Sequence, residues 1–149
     1  PEHEALLPSL VKQLGKGGTL AVQLPHQNNA PSHRVWRSLM EELFAEQYDE
    51  ADVPGVLKPA QYHALLSGLG QLSLWETEYY QVLESEPESH PLRRFTEATY
   101  ARPFLQALDA DQKAEIIARY EAVMEKAYPR DANGRVLFPF RRLFFTLTV

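Results

Sequence analysis

The chain has no cysteine. Disulfides, thiolate metal sites and cysteine nucleophiles are excluded at once, and the composition suits a reducing, cytoplasmic setting. A basic excess is missing too: 15 lysines and arginines stand against 20 aspartates and glutamates, for a net charge of -5. Binding to nucleic acid calls for the opposite balance, so no nucleic-acid partner is expected, and any anionic ligand needs a local basic pocket working against the overall field. No apolar run approaches the roughly 20 residues that span a bilayer, and no signal peptide opens the chain. Neither a membrane partner nor a membrane segment is expected. The histidines His3, His26, His33, His63 and His90 are scattered without paired helical spacing, so no metal is expected. A Gly-x-Ser-x-Gly elbow is absent, which leaves a serine hydrolase unsupported. No Gly-x-Gly-x-x-Gly or similar nucleotide-cradling loop occurs.

What remains is an ordinary globular composition, with 149 residues, 44% of them hydrophobic and 23% charged, enough for one domain with a core. Its organising stretch is Gly15-Lys16-Gly17-Gly18-Thr19-Leu20-Ala21-Val22-Gln23-Leu24-Pro25. Leu6, Leu7, Leu10, Val11 and Leu14 recur upstream at helical spacing. The pattern is helix, glycine stop, buried strand, which is half of a repeating α/β unit. Four apolar residues so close together in Thr19 to Leu24 predict cover on both faces, as in a parallel sheet. The chain opens on Pro1 inside a helix-opening pattern, and it reads as a piece of a longer protein.

Taken in order, a helix is predicted from Pro1 to about Leu14, then the glycine turn and the strand. Pro25 to Pro31 form a polar loop, placed where ligands bind in a parallel α/β sheet. Ser32 is the expected N-cap of a helix carrying Val35, Trp36, Leu39, Met40, Leu43 and Phe44. An acidic, proline-rich loop follows, then a short helix from Pro59 to Leu69. Gln71 to Leu83 reads as a strand. The glutamates Glu84, Glu86 and Glu88 read as a solvated loop. Helices then cover Pro91 to Thr99, a short piece after Arg102-Pro103, and Asp109 to about Lys126, with Asp109 as cap. Asn133-Gly134 marks a turn. Arg135 to Val149 reads as a long strand, bulged at Pro139.

Several stretches resemble one family. They are Gly17-Gly18-Thr19-Leu20-Ala21-Val22-Gln23-Leu24-Pro25 with Pro31-Ser32-His33; Trp75-Glu76-Thr77-Glu78-Tyr79-Tyr80; Thr99-Tyr100-Ala101-Arg102-Pro103; Tyr128-Pro129; Asn133-Gly134-Arg135; and Arg142-Leu143-Phe144. In order and spacing they are similar to the C-terminal part of trans-aconitate methyltransferases, which are class I S-adenosylmethionine-dependent enzymes. The departures are Arg141-Arg142 where the family shows Pro-Arg, Tyr100-Ala101 in the middle of the third stretch, and an uncharged His26-Gln27-Asn28-Asn29 where an acidic residue is common.

The resemblance implies an α/β fold, the C-terminal part of a doubly wound Rossmann-like methyltransferase sheet of about three strands with a mostly helical insertion. Residues 1–83 and 129–149 would belong to that core, and residues 84–128 would be the insertion covering the substrate. It implies S-adenosylmethionine as cofactor of the whole protein and a small polycarboxylate as substrate. The cofactor loop is not in this chain, so the chain alone is expected to bind no cofactor and to be inactive. Methyl transfer to a carboxylate is an in-line displacement by a nucleophile already ionised at pH 7, so no catalytic base is sought and positioning dominates. Arginines suit carboxylates, helped by Tyr and His. The candidate substrate contacts are therefore Arg102, Arg142, His33, Tyr79 and Tyr80, and the candidate cofactor contacts are Gln23, Asn28 and Asn29. Strand alternation sends Arg141 to the face opposite Arg142. Trp36 and Trp75 are assigned to packing. The truncation makes Thr19 to Leu24 a raw sheet edge and predicts self-association. Two alternatives stay open: a complete non-enzymatic α/β binding or oligomerisation module, and a carboxyl methyltransferase of another short acid.

Overall fold

The computed structural model describes residues 2–149, so the Pro1 end of the first helix lies outside it. The elements are α1 (His3–Val11), β1 (Thr19–Pro25), α2 (Pro31–Leu43), two short 3-10 turns, α3 (Pro59–Leu66), β2 (Gln71–Leu83), α4 (Pro91–Glu97), α5 (Arg102–Gln106), α6 (Ala110–Ala127) and β3 (Val136–Thr148). The three strands form one sheet in the order β1-β3-β2. Two compact units emerge. One comprises residues up to His26, Gly55–Tyr79 and Arg141–Val149; the other comprises Gln27–Pro54 and Tyr80–Phe140.

In the first unit β1 runs antiparallel to β3, with Leu20 opposite Leu147, Val22 opposite Phe145 and Leu24 opposite Leu143. Those pairs point to one face, as pleating requires. There they meet Leu7 and Val11 of α1, Tyr62 and Leu66 of α3, and Leu72 and Leu74 of β2. Tyr62 anchors the layer: its hydroxyl meets His3 Nδ1 at 2.6 Å, and its ring lies 5.6 Å from that of Phe145. Gly17 turns the chain with φ +76, a region where a Cβ would be strained. Its N–H donates to Val149 O at 2.8 Å, and Val149 N–H donates back to Gly18 O at 3.1 Å.

The expected parallel strand covered on both faces is corrected here. Thr19, Ala21, Gln23 and Pro25 are all exposed, alternating with partly buried Leu20, Val22 and Leu24. Ala21 made the run look continuously apolar, but its small side chain sits on the open face between Thr19 and Gln23. Trp75 is also not simply packed: it is 45% exposed and lies flat on Phe144, ring centroids 5.5 Å apart.

In the second unit α2 and α6 share a core with α4. Trp36, fully buried, stacks on Tyr120 with centroids 3.9 Å apart. Its Nε1–H donates to Thr96 Oγ1 at 3.0 Å, Thr96 Oγ1–H donates to Leu92 O at 2.9 Å, and Tyr120 O–H donates to Ser32 O at 2.9 Å. Each buried polar group in this chain of bonds has a partner, as a low-dielectric interior demands. The α6 stripe buries Ile116, Tyr120 and Met124, while Val123 is 38% exposed. Val136, Phe138 and Phe140 complete the core.

Some boundaries move. Ser32 is not the cap of α2. Pro31 takes the first helical position after Ala30, because its fixed φ suits that place, and Ser32 is buried inside the first turn. The α3 helix ends at Leu66 and α4 at Glu97. Strand β3 runs unbroken through Pro139. Asp109 does cap α6: its carboxylate accepts from Gln112 N–H at 2.9 Å, and the Gln112 side chain accepts from Asp109 N–H at 3.1 Å.

Candidate functional site

Each unit carries an arginine-centred cluster. In the first unit three residues singled out from the sequence come together, one from each strand. Arg142 on β3 donates from Nε to Tyr79 Oη on β2 at 2.9 Å and from Nη1 to Gln23 Oε1 on β1 at 2.5 Å. The register explains this. Arg142 lies opposite Pro25, so Gln23 is its diagonal neighbour on the open face, within reach of long side chains. Tyr79 and Gln23 are both uncharged. Arg141 points to the other face and pairs with Glu78 at 3.1 Å, as alternation required. Beyond the end of β1, His26 Nδ1 meets Glu76 Oε1.

In the second unit the loop after β1 turns tightly, with Ala30 N–H donating to Gln27 O at 2.9 Å. Asn28 and Asn29 sit at the centre of the turn, Asn28 partly buried and Asn29 exposed. The loop delivers the chain into α2, whose first two turns present His33 and, four residues on, Arg37 on one face. Arg37 Nη2 donates to Asn28 O at 2.6 Å. Its Nε is the one buried side-chain nitrogen or oxygen without a protein partner among the described residues. Leaving such a donor unpaired costs about 1–3 kcal/mol. No carboxylate among the described residues forms an ion pair with Arg37.

The His33 ring lies 4.4 Å from that of Tyr100, and its Nδ1 is 3.0 Å from Ser32 Oγ. Burial, reinforced by the Arg37 charge, holds the His33 imidazole down to about 4, so it is neutral at pH 7. Burial pushes the Tyr100 phenol up to about 12, so it keeps its proton. Phe104 packs edge-on against Tyr100 at 5.7 Å, and Tyr48 lies beside Phe104 at 6.3 Å. The Arg37 charge is felt by His33, Tyr48 and Tyr100 alike.

The remaining candidates stand apart from these clusters. Arg102 is exposed at the start of α5 and lines a shallow depression with Glu97, Leu105, Gln106, Lys113 and Ile117. Tyr80 is 62% exposed. Sequence reasoning missed Arg37, Tyr48 and Tyr100. Arg37 was findable, since it falls one turn after His33 on the helix leaving the loop. No group of three or more His, Cys, Asp or Glu side chains able to hold a metal ion occurs among the described residues. No helix is long and apolar enough to cross a membrane among them.

The glycine turn does not fit a nucleoside cofactor. It precedes β1 rather than following a strand, and the N–H groups of Gly17 and Gly18 are already spent on Val149 O and Gly15 O.

Over 97% of its length the chain is 40% identical to a trans-aconitate 2-methyltransferase of Methylobacterium nodulans and 37% identical to one of Azoarcus sp., covering 56% of each. A third, from Rhizobium meliloti, is 36% identical over 99% of the chain and 58% of its own length. The chain thus spans somewhat more than half the length of the curated relatives it matches. No protein-family model matches it.

Proposed function

We propose that this chain belongs with the trans-aconitate 2-methyltransferases, which it matches over somewhat more than half of their length, and that the whole protein methylates a carboxylate of a small polycarboxylic acid. The observation that carries this reading is the identity with relatives of that name along almost the entire chain. S-adenosylmethionine, when bound, supplies the methyl group, and this chain's residues do not by themselves make its site. The chain corresponds in this reading to the carboxyl-terminal part of the enzyme, with its three strands closing a Rossmann-like sheet and residues 84–128 covering the acid.

The chain's own share is recognition of the acid. Carboxylate anions are acceptors only, so a site for them offers donors and positive charge. Arg142, steadied by Tyr79 and Gln23, presents a cation on the open face of the first unit's sheet. His33 belongs to the arginine cluster of the second unit, where Asn28 O accepts from Arg37. Arg102 and Tyr80 are exposed and complete the assignment as outer contacts; Asn29 is kept as a cofactor contact from the exposed tip of the loop.

The test is direct. The full-length protein, incubated with S-adenosylmethionine and trans-aconitate, is expected to yield a monomethyl ester detectable by mass spectrometry. Absence of ester from any short di- or tricarboxylic acid sinks the reading. The 149-residue chain alone is expected to bind no S-adenosylmethionine at micromolar concentration by calorimetry.

A further inference from the structure

We propose that Arg37, together with His33 and Tyr100, is the receptor for one carboxylate of the acid substrate. The inference rests on the reading of the protein as an enzyme of small polycarboxylates, and it centres the site for that acid on Arg37, which lies outside the motifs.

The cluster is made of donors and lacks an anion. The chain carries a net charge of -5, yet no carboxylate among the described residues approaches Arg37 within ion-pair distance. One of its five N–H groups goes to Asn28 O at 2.6 Å, which fixes the guanidinium against the loop. The Nε–H is buried and meets no protein acceptor. Burial of an unpaired N–H is sustained where the partner arrives with a ligand.

The neighbouring groups have matching polarity. The Tyr100 hydroxyl stays protonated at neutral pH and makes no hydrogen bond to another described residue, which leaves its proton available. When His33 Nδ1 accepts from Ser32 O–H, its proton sits on Nε2, a second neutral donor. One permanent cation with two neutral donors matches a carboxylate better than a phosphate dianion, which would draw a proton onto His33 or demand a second cation. Residue spacing makes the arrangement rigid: His33 and Arg37 share a helix face, and Tyr100 packs on His33 at 4.4 Å.

The test uses the full-length protein and has two arms. In kinetics with trans-aconitate, Arg37→Gln is expected to raise KM about tenfold or more while kcat changes far less, as loss of a charge-assisted hydrogen bond predicts. Arg37→Lys, which keeps charge without Nε, should fall between. Tyr100→Phe should raise KM by a smaller factor. An acid lacking one carboxylate should lose affinity in the wild type and lose little more in Arg37→Gln. In the second arm, trans-aconitate is titrated into the 15N-labelled wild type and the Arg37 Nε–H resonance is followed; it should shift and saturate. A KM unchanged in Arg37→Gln overturns the proposal, as does an Nε–H resonance that stays still at millimolar acid. If no acid is methylated but the resonance shifts, the receptor stands and the activity assigned above falls. If the wild type is active and the resonance does not move, the activity stands and the receptor falls.

Discussion

Thr96 sits where three helices meet, accepting from Trp36 and donating to Leu92 O. Thr96→Val keeps the shape and orphans the indole N–H, so it should cost about 1–3 kcal/mol, read as a lower urea midpoint at constant m. A second residue acts through pH. The folded pKa of His33 is about 4 against 6.5 for the free group, so between those values the unfolded chain binds the extra proton. Stability contributed by the neutral ring is full above pH 6.5 and is lost as pH falls towards 4, by up to about 3 kcal/mol. His90, also held low by burial, adds in the same direction. Urea titrations across this window should show midpoints rising with pH, and a smaller slope in His33→Gln. An unchanged slope would mean His33 titrates normally. At this scale the sequence was a partial guide. Gln23, Tyr79 and Arg142 could be named from it because strand periodicity and motif agree. Arg37 falls one turn after His33, a spacing the sequence does show, but only the fold reveals that its Nε is buried.

Among elements, helix α6 was the most legible, since Asp109 and Gln112 spell its start. Asp109→Ala should remove about 1 kcal/mol, while Asp109→Asn should restore most of it; circular dichroism on thermal unfolding checks both. Strand β2 was located at its ends because aromatic and β-branched residues lie between Gly70 and an acidic break. The orientation of β1 was not legible. Leu20, Ala21, Val22 and Leu24 count as apolar in either a parallel or a one-sided strand, and the partner that decides, β3, lies at the far end of the sequence. Likewise Ser32 is a good cap by type, but Pro31 before it already fits the first turn.

At the scale of the molecule, the order β1-β3-β2 leaves β1 with a strand on one side only among the described residues. An edge of this kind invites a second strand. The isolated chain should therefore associate as its concentration rises in sedimentation velocity. Ala21→Lys, placing a charge on the exposed face of that edge, should weaken association and leave the core intact. A monomer at all concentrations would remove the expectation. The flat Trp75–Phe144 pair on the same open face gives a fluorescence reporter, since covering it would shift the emission of a half-exposed indole.

The pairing of β1 with β3 also sets a clock. Thr19 and Thr148 share a hydrogen bond across 129 residues of sequence. At roughly 5–20 residues per second of synthesis, β1 leaves the ribosome on the order of ten seconds before the strand it pairs with exists. Helices α2 and α6 can settle meanwhile through contacts of shorter range, but the first sheet cannot. A nascent chain thus carries β1 without β3 while the residues between them are made, and a stall short of residue 142 would hold it in that state, open to capture by a chaperone.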